Sequence, residues 1–268
     1  MVKTQYGIIA AKRLEFTQRD LLRVPHKQGD LIVAYPAFGP NTYKDNVVEM
    51  KKSYSHPQTG ARIFFREPTT SESILPATYD FENRAKPKIF DQNGLLVGRI
   101  LKTSEGVFVN PPNFVNLSKS RQDLIDNEKI LKCYIYGVKP VKVLKGHIYI
   151  VPDSPNLKDF GFAPYETFNR GVQDCDTFAH GGLARVLEHT EKKQAKNLGV
   201  IASPKFYKEG VNVLGFYDVE EPILMFVGLY SGREWESGRL SVAGSWDDSY
   251  DGYAFGVLDS GEATAKNN

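Results

Sequence analysis

The apolar pattern near the C-terminus constrains the fold of this chain most strongly. Residues 223–227 form a continuous apolar run, which is typical of a strand buried on both faces. Residues 239–246 alternate instead, so that Leu240 and Val242 face a core. The opposite face carries small side chains, which we expect to face solvent: Ser241, Ala243 and Ser245. The pattern predicts strands near 222–230, 239–246 and 253–258.

A helical region is predicted just before these strands. Between residues 165 and 197, apolar residues recur mostly at spacings of three or four, which indicates helices with one apolar face. The apolar stripe consists of Phe168, Val172, Cys175, Ala179, Leu183, Val186 and Leu187. Gly181 and Gly182 interrupt it, so we expect two helices that end before Gly199. Helices followed by an antiparallel sheet indicate the α+β class.

The N-terminal half predicts mainly short strands. Residues 1–85 contain short apolar runs between Pro, Gly and Asn clusters, which favours an irregular β-rich segment. Further strands are predicted at 95–100 and 106–109, and a hairpin at 130–136 and 141–150. We therefore expect a β-rich segment, 1–85, packed on or part of the same domain as residues 86–260. Residues 261–268 have the composition of a disordered tail.

Charge is distributed unevenly along the chain. Residues 209–265 contain eleven acidic residues, two arginines and no lysine, a net charge of −9, so the remainder carries +11. The basic residues are scattered rather than clustered, which favours a solvated surface over a nucleic-acid-binding one. No stretch approaches the roughly 18 apolar residues of a membrane span, and residues 1–13 have too short an apolar run for a signal peptide. We expect a soluble protein, with its location left open.

The acidic C-terminal segment has the composition of a binding surface. Tyr and Trp provide rigid contact area, while Ser and Gly adapt to a ligand. Trp235 lies between two glutamates, and Tyr250 between Ser249 and Asp251, which indicates exposed aromatic side chains. The predicted ligand-binding residues are Tyr230, Arg233, Glu234, Trp235, Glu236, Ser241, Ala243, Ser245, Trp246, Asp247, Asp248, Ser249, Tyr250, Asp251 and Tyr253.

Catalytic and metal-binding patterns are weak by comparison. Cys175 and His180, with His189 and Asp174 or Asp176 near them in sequence, form the first candidate for catalysis. Cys175 falls on the apolar stripe, however, which favours a core cysteine. The hydroxyl-rich residues 69–73 and 118–120 have no base beside them in the sequence, and the common phosphate-binding, hydrolase and zinc motifs do not occur.

Metal ions are a second chemical possibility. The nine-residue separation of His180 and His189 is not a recognised zinc spacing, and Cys133 and Cys175 alone make neither a zinc site nor a disulfide framework. Calcium at the acidic residues 247–251 is left open, although that stretch lacks the alternating ligands of an EF-hand. We predict a protein without catalysis, cofactor or metal requirement.

Residues 229–258 resemble the variable region of proteins that diversity-generating retroelements diversify. The resemblance rests on Gly238-Arg-Leu-Ser-Val242, Gly244-Ser-Trp246 and Tyr253-Ala-Phe-Gly-Val-Leu258, a fixed skeleton interrupted by Tyr, Trp, Ser, Gly, Asp and Arg. It implies a C-type lectin-like fold that presents altered side chains to varying ligands. The Gly-Gly-Ser-Trp signature of the formylglycine-generating subgroup is only partial, as Ala243-Gly-Ser-Trp246. The last ninety residues also lack that subgroup's catalytic cysteine pair, so oxidase activity is not implied.

Three functions follow from these observations. The first is a display protein, carried on a virion or a cell surface. It would bind a variable protein or carbohydrate ligand, such as a host surface receptor. The second is a small hydrolase or transferase that uses Cys175 and His180. The third is a structural virion or surface component. The binding composition of the C-terminal segment favours the first, and the oligomeric state stays open.

Overall fold

The computed structural model describes residues 19–26, 29–83, 94–115, 120–231, 238–247 and 249–259, and for Trp246 the backbone alone. Within these ranges the helices are α1 (Tyr43–Met50), α2 (Thr70–Asn83), α3 (Arg121–Tyr136), α4 (Cys175–His180), α5 (Gly182–Leu187) and α6 (Lys196–Ile201), with a 3₁₀ turn at Tyr165–Thr167. The strands are β1 (Asp20–His26), β2 (Gly29–Tyr35), β3 (Phe38–Asn41), β4 (Tyr54–Ser55), β5 (Arg62–Ile63), β6 (Phe65–Arg66), β7 (Leu95–Lys102), β8 (Gly106–Val109), β9 (Val141–Val143), β10 (Gly146–Ile150), β11 (Gly161–Pro164), β12 (Gly171–Gln173), β13 (Val211–Leu214), β14 (Ile223–Ser231), β15 (Leu240–Trp246), β16 (Gly252–Ala254) and β17 (Val257–Leu258). The fold is mixed α and β structure dominated by sheet.

A large mixed sheet forms the centre of the molecule. Its strands follow the order β12-β13-β15-β14-β7-β8-β11-β10-β9, and β16 joins it beside β7. Strand β14 is largely buried, as its continuous apolar sequence predicts, and it runs antiparallel to both β15 and β7. β13 runs parallel to β15. The loops that follow β13 and β15 therefore leave the sheet at the same end.

Strands from the two ends of the chain pair with each other. β17 lies between β2 and β6 in a second sheet of order β1-β2-β17-β6, and β16 pairs with β3. The predicted boundary between residues 85 and 86 falls within 84–93, outside the described residues. Because strands from both sides of that boundary share sheets, the two segments are joined by backbone hydrogen bonds.

Two apolar clusters lie against β15, one on each of its faces. Leu240 and Val242 belong to the larger cluster, which includes residues of α2, α4, α5 and α6. Ala243 belongs to a second cluster with Phe38 of β3 and Met50 of α1. The N-terminal segment thus covers the face of β15 that was expected to be exposed.

Several predicted elements are wrong in kind. The N-terminal segment contains α1 and α2, and residues 130–136 belong to α3 rather than to a hairpin. The observed hairpin is the shorter pair β9 and β10. Residues 164–174 are extended or 3₁₀, so helix begins at Cys175. The predicted break at Gly181 is confirmed, but the expected end before Gly199 is wrong, because a third helix, α6, runs through Gly199. Val172 is an exposed strand residue rather than a member of a helical stripe.

Local hydrogen bonds fix the start of α2. The Thr69 backbone N–H donates to Glu72 Oε2 (2.9 Å), and the Glu72 N–H donates back to Thr69 Oγ1 (3.3 Å), which forms a capping box. Most of α2 is buried, including Ile74, Ala77 and Phe81. In the part of the chain that the structure describes, no helix combines the length and apolarity needed to cross a membrane.

Candidate functional site

The predicted strand-face residues lie in the interior. Ser241 is 1% exposed and Ala243 is 0% exposed. The expectation that these two side chains face solvent is therefore wrong, because the second apolar cluster covers them. Ser245 is half-buried. It lies directly against Gly215, where an added Cβ would be 2.6 Å from the Cβ of Ser245. Tyr230 and Tyr253 are also partly buried, and each packs against an apolar cluster.

The remaining predicted residues divide between two loops. Arg233, Glu234, Trp235, Glu236 and Asp248, and the side chain of Trp246, lie outside the described residues. The segment with Trp235 precedes β15, and the loop with Tyr250 follows it. A seven-residue strand spans roughly 20 Å, so these loops leave β15 from opposite ends. Because residues 232–237 lie outside the described residues, the part of Trp235 in a binding surface stays a prediction.

The loop after β15 is exposed. Asp247, Ser249, Tyr250 and Asp251 all face solvent. The Asp247 carboxylate accepts hydrogen bonds from the Ser249 hydroxyl and from its backbone N–H (2.9 Å), and these bonds lower the pKa of Asp247. The loop therefore has a local turn structure of its own, although its tip projects from the sheet.

A second loop lies beside it at the same end of the sheet. We use the name loop edge for residues 215–222, which follow β13, together with residues 247 and 249–251, which follow β15. Tyr217 in the first loop is 55% exposed, and Tyr250 in the second is 53% exposed. Gly215 and Ser245 are direct neighbours, so the loops begin side by side. The loop edge thus presents two half-exposed tyrosines on adjoining loops.

Buried groups hold the first of these loops in place. Lys102 is fully buried; its ammonium donates to the Gly215 carbonyl (2.9 Å) and lies 3.9 Å from the centre of the Tyr217 ring. Burial lowers the pKa of Lys102. The Tyr165 hydroxyl donates to the Tyr217 carbonyl (2.9 Å), and Arg170 pairs with Asp218 (2.6 Å). The exposed ring therefore projects from a backbone that is fixed at several points.

A cleft extends from the loop edge towards α3. It has a volume of about 630 Å³ and is lined by Val219, Pro222, Ile223 and Leu224 on one side and by Arg121 and Leu124 on the other. Arg121 forms an ion pair with Glu221 across it. The cleft gives the loop edge a partly apolar recess beside its acidic residues.

The proposed Cys–His pair has little of the geometry of a nucleophile and its base. The Cys175 thiol is buried and donates to the Tyr207 carbonyl (3.7 Å). Burial raises the pKa of Cys175, whereas a reactive cysteine needs a lowered one. His180 contacts the carbonyl (2.9 Å) and the carboxylate (3.4 Å) of Asp176 instead. This arrangement is that of a core cysteine beside a helix-end histidine.

Sequence reasoning missed a polar network at the start of α2. The hydroxyls of Thr69 and Ser71 both donate to Oδ2 of Asp159, whose Oδ1 lies 3.3 Å from Nδ1 of His189. The stretch 69–73, which has no base near it in sequence, is therefore placed beside a carboxylate and an imidazole by the fold. The described non-glycine residues with positive φ all belong to this network: Asn110 (51°), Asp159 (50°) and His189 (47°).

Asn110 ties the network to two further elements. Its side-chain amide donates to the Asp159 carbonyl (2.9 Å) and to the Thr70 hydroxyl (2.9 Å), and its oxygen accepts from the Thr70 backbone N–H (3.0 Å). Strained backbone persists where the surroundings over-determine it, and it often marks functional sites. The only signal in the sequence is the residue types, since Asn, Asp and His tolerate positive φ better than most.

Comparisons with protein-family models, with characterised proteins and with solved structures find no match to this chain.

Proposed function

We propose that this chain is a recognition protein that binds its ligand at the loop edge, without catalysis at that surface. The observation that carries the proposal is the pair of half-exposed tyrosines, Tyr217 and Tyr250, on two loops that begin side by side. The proposed contact surface therefore lies in the loops that follow β13 and β15. The strand face that the sequence predicted as the contact surface is buried.

The chemistry of the loop edge suits a protein or carbohydrate ligand. Tyrosine rings supply large contact area with little loss of side-chain entropy, and sugar or aliphatic surfaces stack on them. Asp218, Glu220, Asp247 and Asp251 add hydrogen-bond acceptors around the rings. The fixed backbone beneath Tyr217 supports the proposal as well, because a preorganised surface loses less entropy on binding.

We extend the proposal to the origin of the sequence. The resemblance to retroelement-diversified proteins with a C-type lectin-like fold is consistent with the chain order, in which α4, α5 and α6 precede β13 to β17. Under this proposal, diversification changes codons at 247–251, where the described residues face solvent, and at 232–237. Codons for Ser241 and Ala243 stay constant, because altered side chains there would disrupt the core.

The genomic locus tests the proposed origin. We expect a near-copy of the DNA for residues 229–258 beside a reverse transcriptase gene, differing where the template has adenines. We expect those differences to spare the codons of Leu240, Ser241 and Ala243. A locus without such a copy would refute the retroelement origin but leave the binding proposal standing.

Binding measurements test the surface itself. The probes are an array of immobilised oligosaccharides and intact cells of candidate hosts. The double variant Tyr217→Ala/Tyr250→Ala should bind at least about 30-fold more weakly, a loss that corresponds to the roughly 2 kcal/mol of one hot-spot side chain. Tyr136→Ala is the matched control, because Tyr136 is 77% exposed and lies at the end of α3 far from Arg121. Equal binding by wild type and the double variant, or no binding to any probe, would contradict the proposal.

A further inference from the structure

A second cleft lies apart from the loop edge and contains the Asp159–His189 pair. It has a volume of about 300 Å³, and its lining includes Ser71, Asp153, Asp159 and His189. One donor atom from each of Asp153, Asp159 and His189 lies within 4.8 Å of the other two. Asp159 is buried, while Asp153 is exposed at the mouth. The imidazole that follows α5 thus lies close to two carboxylates from the loop between β10 and β11.

Hydrogen bonding indicates which nitrogen of His189 carries its proton. Nε2 lies 3.0 Å from the carbonyl oxygen of Val151, which can only accept, so Nε2 must bear the proton. In the neutral ring, Nδ1 then carries a lone pair and no proton, so it can only accept. It lies 3.3 Å from Oδ1 of Asp159, which is also an acceptor. Two acceptors at that distance repel each other unless a proton, carried by either group, or a metal ion lies between them.

The geometry points to a metal ion, and we infer that Asp153, Asp159 and His189 bind a divalent transition ion of the zinc type. Zn²⁺ binds imidazole nitrogen and carboxylate oxygen at about 2.0–2.2 Å, so two ligands of a tetrahedral ion lie about 3.3–3.5 Å apart. The observed 3.3 Å between Nδ1 and Oδ1 fits that separation. Imidazole with carboxylates favours Zn²⁺, Fe²⁺ or Mn²⁺ over Ca²⁺, which takes oxygen ligands.

Hydrogen bonds from neighbouring groups orient the three ligand side chains, as such bonds do in known metal sites. The Nε2–H donor to a backbone carbonyl fixes the histidine tautomer, and the Thr69 and Ser71 hydroxyls on Oδ2 orient the Asp159 carboxylate. The Asp159 backbone N–H donates to Asp153 Oδ1 (2.8 Å), which leaves the other oxygen of Asp153 for the ion. Three protein ligands leave a fourth position for water or a ligand, open to the cleft. This inference shares no residue with the loop edge and does not rest on the proposed function.

Titration of the chelator-treated full chain with ZnCl₂ tests the inference, with CoCl₂ as a second probe whose visible absorption reports tetrahedral coordination. We expect one ion per chain. Asp153→Asn keeps the acceptor for the Asp159 N–H, and His189→Asn keeps a residue type that tolerates positive φ. Each removes a ligand and should lower the affinity by more than about 100-fold, whereas Ser71→Ala removes only a hydrogen bond to a ligand and should lower it by about 10-fold to 100-fold.

The control is Asp174→Asn, another exposed aspartate whose carboxylate accepts a backbone N–H, that of Thr177 (2.7 Å). It should bind Zn²⁺ like wild type, and the thermal melts of all variants in chelator should show that they fold. Absence of Zn²⁺ binding by wild type would overturn the inference, as would equal binding by all variants. Nitrogen NMR that shows a doubly protonated His189 at neutral pH, with no change on adding Zn²⁺, would mean that a proton alone joins the pair.

Discussion

Glu72 is a carboxylate almost wholly removed from solvent. Its side chain is 1% exposed, and Arg66 donates to both of its oxygens (2.7 and 2.8 Å), while Lys158 and the Thr69 N–H donate as well. Burial by itself would raise the pKa of Glu72, but the hydrogen bonds and charge of Arg66, with those of Lys158, outweigh it and lower the pKa from 4.5 to about 2. The ionised form is therefore favoured in the folded state.

This lowered pKa predicts how stability depends on pH. Ionised Glu72 stabilises the fold above pH 4.5, and that contribution, on the order of 3 kcal/mol, is lost as the pH falls from 4.5 towards 2. Glu72→Gln should lower the free energy of unfolding at pH 7 by about 2–3 kcal/mol and flatten its pH dependence in that window. Urea titrations at several pH values measure both. Parallel pH profiles for variant and wild type would contradict the assignment.

The buried face of β15 gives a second prediction for single residues. Ala243→Leu should lower the free energy of unfolding by about 1–3 kcal/mol, because a larger side chain must fit among the residues around Phe38 and Met50. Tyr250→Ala should change it by less than about 0.5 kcal/mol, as is usual for an exposed position. Thermal and urea melts of the two variants compare them directly. The opposite order would restore the exposed-face interpretation of β15.

Among the structural elements, the start of α5 depends on a close approach. A Cβ on Gly182 would lie 2.2 Å from Thr167 Oγ1 and 2.8 Å from Ile148 Cγ2, so the helix packs against the 3₁₀ turn and β10 without room for a side chain. In α6, a Cβ on Gly199 would meet Ala179 Cβ at 3.4 Å, an ordinary contact. The two helical glycines thus differ in the reason for their presence.

The difference predicts opposite results for the same substitution. Gly182→Ala should destabilise the fold by about 1–3 kcal/mol through overlap with Thr167. Gly199→Ala should be neutral or stabilise it by up to about 1 kcal/mol, since alanine favours helix more than glycine does. Denaturant melts of both variants give the comparison. Equal effects of the two substitutions would show that helix propensity, not packing, decides at Gly182.

An element can be predicted from the sequence where its burial leaves a regular apolar pattern. β8 agrees with the sequence pattern, and β14 and β15 lie within a residue or so of it, because alternation and apolar runs report strands directly. α2 is buried on most sides and contains Pro76, so no clean helical period shows. α3 ends in Ile130 to Tyr136, a β-branched and aromatic sequence that packing and the Ser120 cap make helical.

At the scale of the whole molecule, pairing between distant strands determines which faces are buried, and local sequence patterns do not reveal that pairing. Val257 pairs with Val33 and Gly252 with Asn41, over two hundred residues away in the chain. Local patterns identify such strands but carry no information about which strand covers which face. For the same reason the network of Ser71, Asp159 and His189 could not be predicted, since Ser71 lies in α2, Asp159 in the loop before β11 and His189 in the loop after α5. Exposure of Tyr250, which depends on its polar neighbours, could be predicted.

This pairing predicts that the two halves of the chain fold together. A fragment of residues 94–259 lacks β3, which pairs with β16, and β2 and β6, which pair with β17, and it exposes Phe226 and Ala243 of the second cluster. We expect it to melt without a cooperative transition and to bind a hydrophobic dye, as loosely packed states do.

The control fragment 19–259 keeps the described strands and should melt like the full chain. Adding a peptide of residues 19–83 to fragment 94–259 should restore a cooperative melt, because strand pairing and the second cluster re-form on association. If fragment 94–259 alone melts at the temperature of the full chain, residues 86–260 are an independent domain. The pairing of its strands with those of the N-terminal segment then contributes little to stability.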